Sequence, residues 1–366
     1  MQTEDKTNSC GMEEWEKNPK AKNKLGRIMV ASGSSFKFVP QTVLQLEPGK
    51  KKESTNALIG AINKGEIGSF EIEMLDWISK LKYSTKAMIM DLILSGYISL
   101  GKREKISADK ISIIFERLYR YNLIDLTRLV AVSDEGIALD ENRRSVMRVN
   151  TLGKTGHILL KEIGRHPQKR DVFTVLADGN TVKKCLSANQ WLIYWLTHFS
   201  KEQIRDYSIV QLVNMVGAQW SAARIYATVN MEKKTMIAEP VKRCEAFEVE
   251  KEDEMMRDKF LRFAIMFENL DKLYSATREP IVYTSRPVIT YLCEDDEHVE
   301  EVVCNLKSLL KEYPDQEVWF TTDLRMFNYS MKGQRFKRLE GDQLVNVNIE
   351  EHLGVSEITM EERGKM

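Results

Sequence analysis

Three glutamates and one lysine in the second half of the chain have the types and spacing of a metal-dependent hydrolytic site. Glu239 ends one predicted strand, and Glu248 and Glu250 stand in the next, which leads into Lys251. Because side chains alternate along a strand, Glu248 and Glu250 share a face and can gather with Glu239 at one sheet edge. Such carboxylates would hold a divalent cation, and a neighbouring lysine would position or deprotonate the attacking water.

The pattern departs from such a site at one position. Glu250 stands where the lysine is needed, and Lys251 faces the other way unless a bulge turns it. The same residues also fit an exposed edge strand followed by the acidic first turn of a helix at 252–254, since acids stabilise helix N-termini. We therefore predict no catalytic residue, metal ligand or cofactor. An active nuclease that uses these four residues with Mg²⁺ or Mn²⁺ is the alternative.

Other catalytic motifs are absent from the sequence. It contains no phosphate-binding glycine loop, dinucleotide-binding glycine motif, nucleophile elbow or zinc-protease helix. Its five histidines are scattered, so no clustered metal-binding triad of histidines is expected.

A second group of residues has the placement of a DNA-binding surface. It comprises Lys105, Lys110, Ser112, Arg117, Arg120, Arg143 and Arg144. Lys110 and Arg117 are seven residues apart, which places them on one outer face of a predicted helix that Arg120 extends. The cations would contact phosphates, whereas Ser112 and Ile113 would reach base edges.

Hydrophobic spacing predicts the elements that must position these cations. The expected order is helix, helix, helix, strand, strand, helix, at 69–81, 87–96, 107–122, 123–132, 145–150 and 152–163. This order is typical of a winged helix-turn-helix, whose third helix enters the major groove while the strand ribbon lies along the backbone. A winged helix that binds only protein is the alternative, because Asp109, Glu116 and the acids at 140–141 dilute the positive charge.

The glutamates fall in a second predicted unit of mixed helices and strands. A strand is expected at 172–176, helices at 188–199 and 204–215, strands at 224–230, 235–241 and 246–250, then helix, strand, helix, strand at 252–274, 288–293, 299–310 and 317–322. Trp191, Leu192, Trp195 and Leu196 form a stripe at helical spacing that predicts core. Adjacent strands should pair antiparallel and the later ones through crossovers, which gives a mixed sheet. The order is similar to the restriction-endonuclease-like core.

Length and composition predict an ordinary globular protein. The 366 residues are 43% hydrophobic and 30% charged, which excludes disordered and collagenous classes. Lysine plus arginine and aspartate plus glutamate both number 54, so DNA binding would depend on local charge. Five cysteines without a Cys-x-x-Cys pair favour neither a disulfide framework nor a zinc ribbon. No apolar run predicts a membrane span or signal peptide, so we expect a cytoplasmic protein.

These patterns divide the chain into four segments with a combined α+β and α/β fold class. Residues 1–55 are expected to be a flexible tail, 56–165 a winged helix-turn-helix, 171–330 a mixed-sheet restriction-endonuclease-like domain with a degenerate site, and 331–366 a C-terminal extension.

Three stretches resemble the replication-relaxation family of plasmids and integrative elements. They are Leu-Tyr-Arg-Tyr-Asn-Leu-Ile at 118–124, Arg-Val-Asn-Thr-Leu-Gly-Lys-Thr-Gly at 148–156 and Phe-Glu-Val-Glu at 247–250. The resemblance implies a winged helix joined to a degenerate nuclease-like domain, with double-stranded DNA and replication or conjugation proteins as partners. It implies an accessory protein of mobile-element replication or transfer that binds duplex DNA without cleaving it. The alternatives are a metal-dependent nuclease acting on DNA, and a winged-helix scaffold or transcriptional regulator.

Overall fold

The computed structural model describes residues 41–46, 53–100, 106–132, 147–168, 179–219, 222–243, 249–327 and 334–358. The helices are α1 (Thr55–Asn63), α2 (Ser69–Leu81), α3 (Lys86–Leu94), α4 (Ala108–Arg120), α5 (Lys154–Glu162), α6 (Gly179–His198), α7 (Val249–Glu268), α8 (Asp296–Glu312), α9 (Asp323–Phe327) and α10 (Ile349–Leu353). The strands are β1 (Gln41–Leu46), β2 (Ile124–Val132), β3 (Met147–Leu152), β4 (Ile204–Met215), β5 (Ala223–Met231), β6 (Thr235–Pro240), β7 (Leu273–Ser275), β8 (Val288–Cys293), β9 (Val318–Thr322), β10 (Lys337–Glu340) and β11 (Gln343–Asn346). No helix in these ranges is long and apolar enough to cross a membrane.

The first half of the chain folds into helices packed on a small antiparallel sheet. Strands β1, β2 and β3 lie in that order. Between α2 and α3, Ser84 forms an antiparallel bridge with Asn150 of β3. Helix α4 begins where predicted, because the Ser107 side chain accepts a hydrogen bond from the Lys110 backbone N–H at 3.3 Å and so caps the helix. The helix buries Ile111, Ile114 and Leu118, which leaves its polar face outward.

The second half contains a mixed sheet of eight strands in the order β11-β10-β9-β8-β6-β5-β4-β7. Strands β4, β5 and β6 pair antiparallel, whereas β6, β8 and β9 run parallel. The connections explain this difference, since short turns join the first three strands and helices α7 and α8 join the later ones. The prediction of a mixed sheet in an α and β protein is therefore confirmed.

Helices cover both faces of the large sheet. On β6, Met236 and Ala238 belong to the hydrophobic cluster that contains α6, whereas Ile237 belongs to the cluster that contains α7 and α8. The first cluster continues into α2, α3 and α4. The two halves of the chain therefore share one core, with α6 between them.

Several predicted elements were wrong. Residues 204–215 form strand β4 rather than a helix, because this segment pairs with β5 on one side and β7 on the other. Residues Val249 and Glu250 are the first turn of α7 rather than the end of a strand. Within the predicted tail, Gln41–Leu46 pairs along β2, and the predicted C-terminal extension contributes β10, β11 and α10. The strand expected at 172–176 lies outside the described residues.

Gly156 of α5 sits where a side chain has no room. An added Cβ would overlap the carbonyl oxygen of Leu123, which is backbone and cannot turn aside. We expect Gly156→Ala to lower the free energy of unfolding by about 1–3 kcal/mol, measured by urea denaturation. Gly60→Ala is the control, because nothing lies near that position of α1 and alanine there should stabilise the helix by up to about 1 kcal/mol. Equal responses of the two variants would contradict this packing argument.

Candidate functional site

A cavity of about 800 Å³ opens at the end of strand β6. Strands β6 and β8 run parallel, so both carboxyl ends point toward this edge, where α/β sheets commonly bind ligands. Helices α6, α7 and α8 supply the remaining walls. The charged residues of the lining are Lys184, Glu239, Lys242, Arg243, Glu252, Asp253, Lys259, His298 and Glu301.

Glu239 is the most buried carboxylate of the cavity wall, with 8% of its surface exposed. It forms an ion pair with Lys259 of α7. The Lys259 ammonium also lies 5.1 Å from the ring centre of Tyr226 and 5.4 Å from that of Phe263, which holds it in place. Burial raises the pKa of Glu239, and the charges of Lys259 and Lys184 oppose that shift. The carboxylate therefore depends on these two cations to stay ionised.

The second ion pair of the cavity is more exposed. Lys184 of α6 approaches Glu252 of α7 at 3.4 Å, and 22% and 36% of their side-chain surfaces are exposed. In the same turn of α7, burial raises the pKa of Asp253, and the nearby Glu301 carboxylate adds to the shift. Lys184 and Lys259 thus both face Glu239, with further carboxylates close by.

The other two cations of the wall are held by acids beyond the strand ends. Lys242 is buried and contacts Asp323 at 2.5 Å, and the Ser187 hydroxyl donates to the same carboxylate. Burial raises the pKa of Asp323 to about 6 although Lys242 opposes the shift. Arg243 donates to Asp295 at 2.7 Å and to Glu301 at 3.0 Å. These contacts fix the ends of β6, β8 and β9 relative to one another.

Among the nuclease residues considered from the sequence, only Glu239 lies in the described cavity wall. Glu250 and Lys251 are exposed in the first turn of α7, and Glu248 lies outside the described residues. The lysine beside Glu239 is Lys259, which sequence spacing missed. Its only sequence signal is its place beside the apolar stripe of α7, four residues before Phe263. Within the described ranges, no three histidine, cysteine or acidic side chains are grouped to hold a metal ion.

The predicted DNA-binding residues lie on or near α4. Lys110, Ser112 and Arg120 are exposed on its outer face, and Lys86 of α3 donates to the Ser112 hydroxyl. Arg117 differs from the prediction, because its guanidinium donates to the Glu66 carbonyl at 2.6 Å and braces the loop before α2. The remaining three cations, Lys105, Arg143 and Arg144, lie outside the described residues.

Comparisons with known proteins leave the family of this chain open. No family model matches the sequence, and no curated protein matches it. A crystal structure of protein VC1899 from Vibrio cholerae aligns with 82% of this chain at 8% sequence identity and a TM-score of 0.24. The alignment spans 59% of the length of that protein.

Proposed function

We propose that this protein binds duplex DNA through a winged helix-turn-helix made of α2, α3, α4 and the β2–β3 hairpin. The observation that carries the proposal is the order of elements around the bridge between Ser84 and Asn150. Helix, bridging residue, helix, helix and hairpin follow one another, as in winged helices. This arrangement makes α4 the recognition helix, and its outward face is polar and accessible.

The side chains of α4 suit contacts with both the DNA backbone and the bases. Lys110 and Arg120 would bind phosphates near the two ends of the helix. Between them, Ser112 and the 57% exposed Ile113 would touch base edges. Lys105, Arg143 and Arg144 would add phosphate contacts from the loop before α4 and from the hairpin tip. Arg117 has a positioning role in this proposal, since it is bound to Glu66.

The proposed role is that of a non-cleaving accessory protein in replication or transfer of mobile DNA. Strands β4 to β9 with helices α6 to α8 follow the order of a restriction-endonuclease-like core, which favours a nuclease as the second candidate. We favour binding without cleavage, because the Glu239 carboxylate is ion-paired with Lys259 and Glu250 and Lys251 face solvent.

Reversing two charges on α4 is expected to weaken DNA binding. In Lys110→Glu with Arg120→Glu, affinity for a short random-sequence duplex should fall about tenfold or more. The slope of log affinity against log salt should fall by about two units, because each lost phosphate contact releases fewer counterions. Fluorescence anisotropy at several salt concentrations measures both quantities.

The matched control is Lys233→Glu with Lys272→Glu, which makes the same charge change at exposed lysines of the second half. Unchanged binding by the α4 variant, or an equal loss in the control, would refute the recognition helix and support a protein-binding scaffold. DNA recovered from wild-type reactions with Mg²⁺ or Mn²⁺ should stay intact. Cleavage that disappears in Glu239→Ala would instead support the nuclease.

A further inference from the structure

We propose that the cavity at the end of β6 binds a phosphate monoester, with the phosphate held between Lys184 and Lys259. This inference is independent of the proposed DNA binding, because the cavity residues belong to α6, α7, α8 and the ends of β5 and β6. The ligand class follows from which cations are available, which acid can be displaced, and the character of the remaining wall.

Two of the four cations in the wall can receive a ligand. Lys242 is buried against Asp323, and Arg243 is engaged by Asp295 and by both carboxylate oxygens of Glu301. Lys184 and Lys259 remain, and both act on the same Glu239 carboxylate. Their ammonium groups therefore flank one region of the cavity, where an anion can meet both.

Glu252 occupies the place of such an anion without holding it tightly. Its contact with Lys184 is 3.4 Å long, and both side chains are partly exposed, so solvent weakens the pair. Glu252 lies in the first turn of α7 and can turn outward. A phosphate dianion carries more charge than the carboxylate and offers enough acceptor oxygens to bind both lysines.

The rest of the wall indicates that the phosphate is esterified to an organic group. Apolar side chains line the cavity beyond the lysines: Pro240, Val241, Met255, Met256 and Val302. A free inorganic anion would leave this surface unused, whereas the ring system of a nucleoside would cover it. The cavity volume of about 800 Å³ lies in the range of pockets for ligands of that size.

Binding of adenosine monophosphate to the full chain tests the site by isothermal titration calorimetry, with adenosine as the probe that lacks phosphate. We expect saturable binding of the monophosphate and none of adenosine. Lys184→Ala should weaken the affinity by about tenfold or more, since it removes a charge-assisted contact. Glu252→Gln should strengthen it, because the competing carboxylate is neutralised. Lys251→Ala is the control and should bind like the wild type, since Lys251 is exposed outside the cavity wall.

The same phosphate chemistry occurs at the end of a nucleic-acid strand, and a second set of titrations separates the two sources. A very short single-stranded oligonucleotide is compared with and without its terminal phosphate, in the Lys110→Glu with Arg120→Glu background. Tighter binding of the phosphorylated strand than of adenosine monophosphate would identify a strand end as the ligand, and the reverse would identify a free nucleotide. The proposal is overturned if neither phosphate ester binds, or if affinity is the same in Lys184→Ala and Glu252→Gln as in the wild type.

Discussion

Replacing Asp323 with alanine is expected to lower the free energy of unfolding by about 3–5 kcal/mol, because it leaves a buried ammonium group without its counter-charge. Lys242 has no exposed side-chain surface and contacts Asp323 at 2.5 Å. The Ser187 hydroxyl would lose its carboxylate acceptor as well. Urea denaturation at neutral pH, followed by circular dichroism, measures the change.

The matched control removes both charges. Lys242→Met with Asp323→Leu should be close to the wild type in stability, since the buried pair also loses its desolvation cost. A comparable loss in the double variant and in Asp323→Ala would show that shape, rather than the unpaired charge, explains the effect.

The pair also gives the protein a defined pH dependence. The folded-state pKa of Asp323 is about 6, above its ordinary value of 3.8, so the folded protein binds this proton more tightly than the unfolded chain. The associated stabilisation is complete below pH about 4 and is lost as the pH rises to about 6. Relative to the double variant, the wild type should therefore lose stability across this interval, and a difference that is flat with pH would contradict the assignment.

Trp195→Ala should also cost about 3–5 kcal/mol of unfolding free energy, because it empties a large volume in a closed core. Trp195 has no exposed surface. Its ring lies 4.9 Å from Phe199 and 5.5 Å from Phe336, both stacked, measured between ring centres. Since Phe336 precedes β10, the substitution should loosen the C-terminal hairpin as well as α6.

Thermal unfolding with hydrogen exchange on β10 measures both effects. Val282→Ala is the control, because that side chain is 78% exposed and its loss should change stability by less than about 0.5 kcal/mol. A small effect of Trp195→Ala, or protection of β10 that stays unchanged, would show that α6 does not organise the core as described.

Local patterns in the sequence predicted the elements whose burial is one-sided or complete. The capped, strongly amphipathic α4 was placed correctly at its start, and the all-apolar β8 was predicted over its observed span, Val288–Cys293. The tryptophan stripe of α6 is buried as expected. In each case a single helix or strand faces one environment along its length, so periodicity alone identifies it.

Elements whose form depends on distant partners were not predicted. Strand β4 has a half-buried, weakly alternating surface, and only its pairing with β5 and β7 makes it extended. Lys184 and Lys259 approach Glu239 from two different helices, which no spacing along the chain reveals. Glu239 was found because a strand end fixes its position locally. Its neighbours were missed because tertiary packing brings them there.

Helix α6 determines how this protein can be divided. The Asn189 side chain donates to the carbonyl oxygens of Leu81 and Tyr83 at 2.8 and 2.7 Å, and Trp77 stacks on Tyr207 of β4. A cut between α5 and α6 would expose these carbonyls and the apolar surface around them, so neither half would keep its core closed. The helical half is therefore not an exchangeable module that recombination could move intact into another protein, and the chain should melt in one cooperative step.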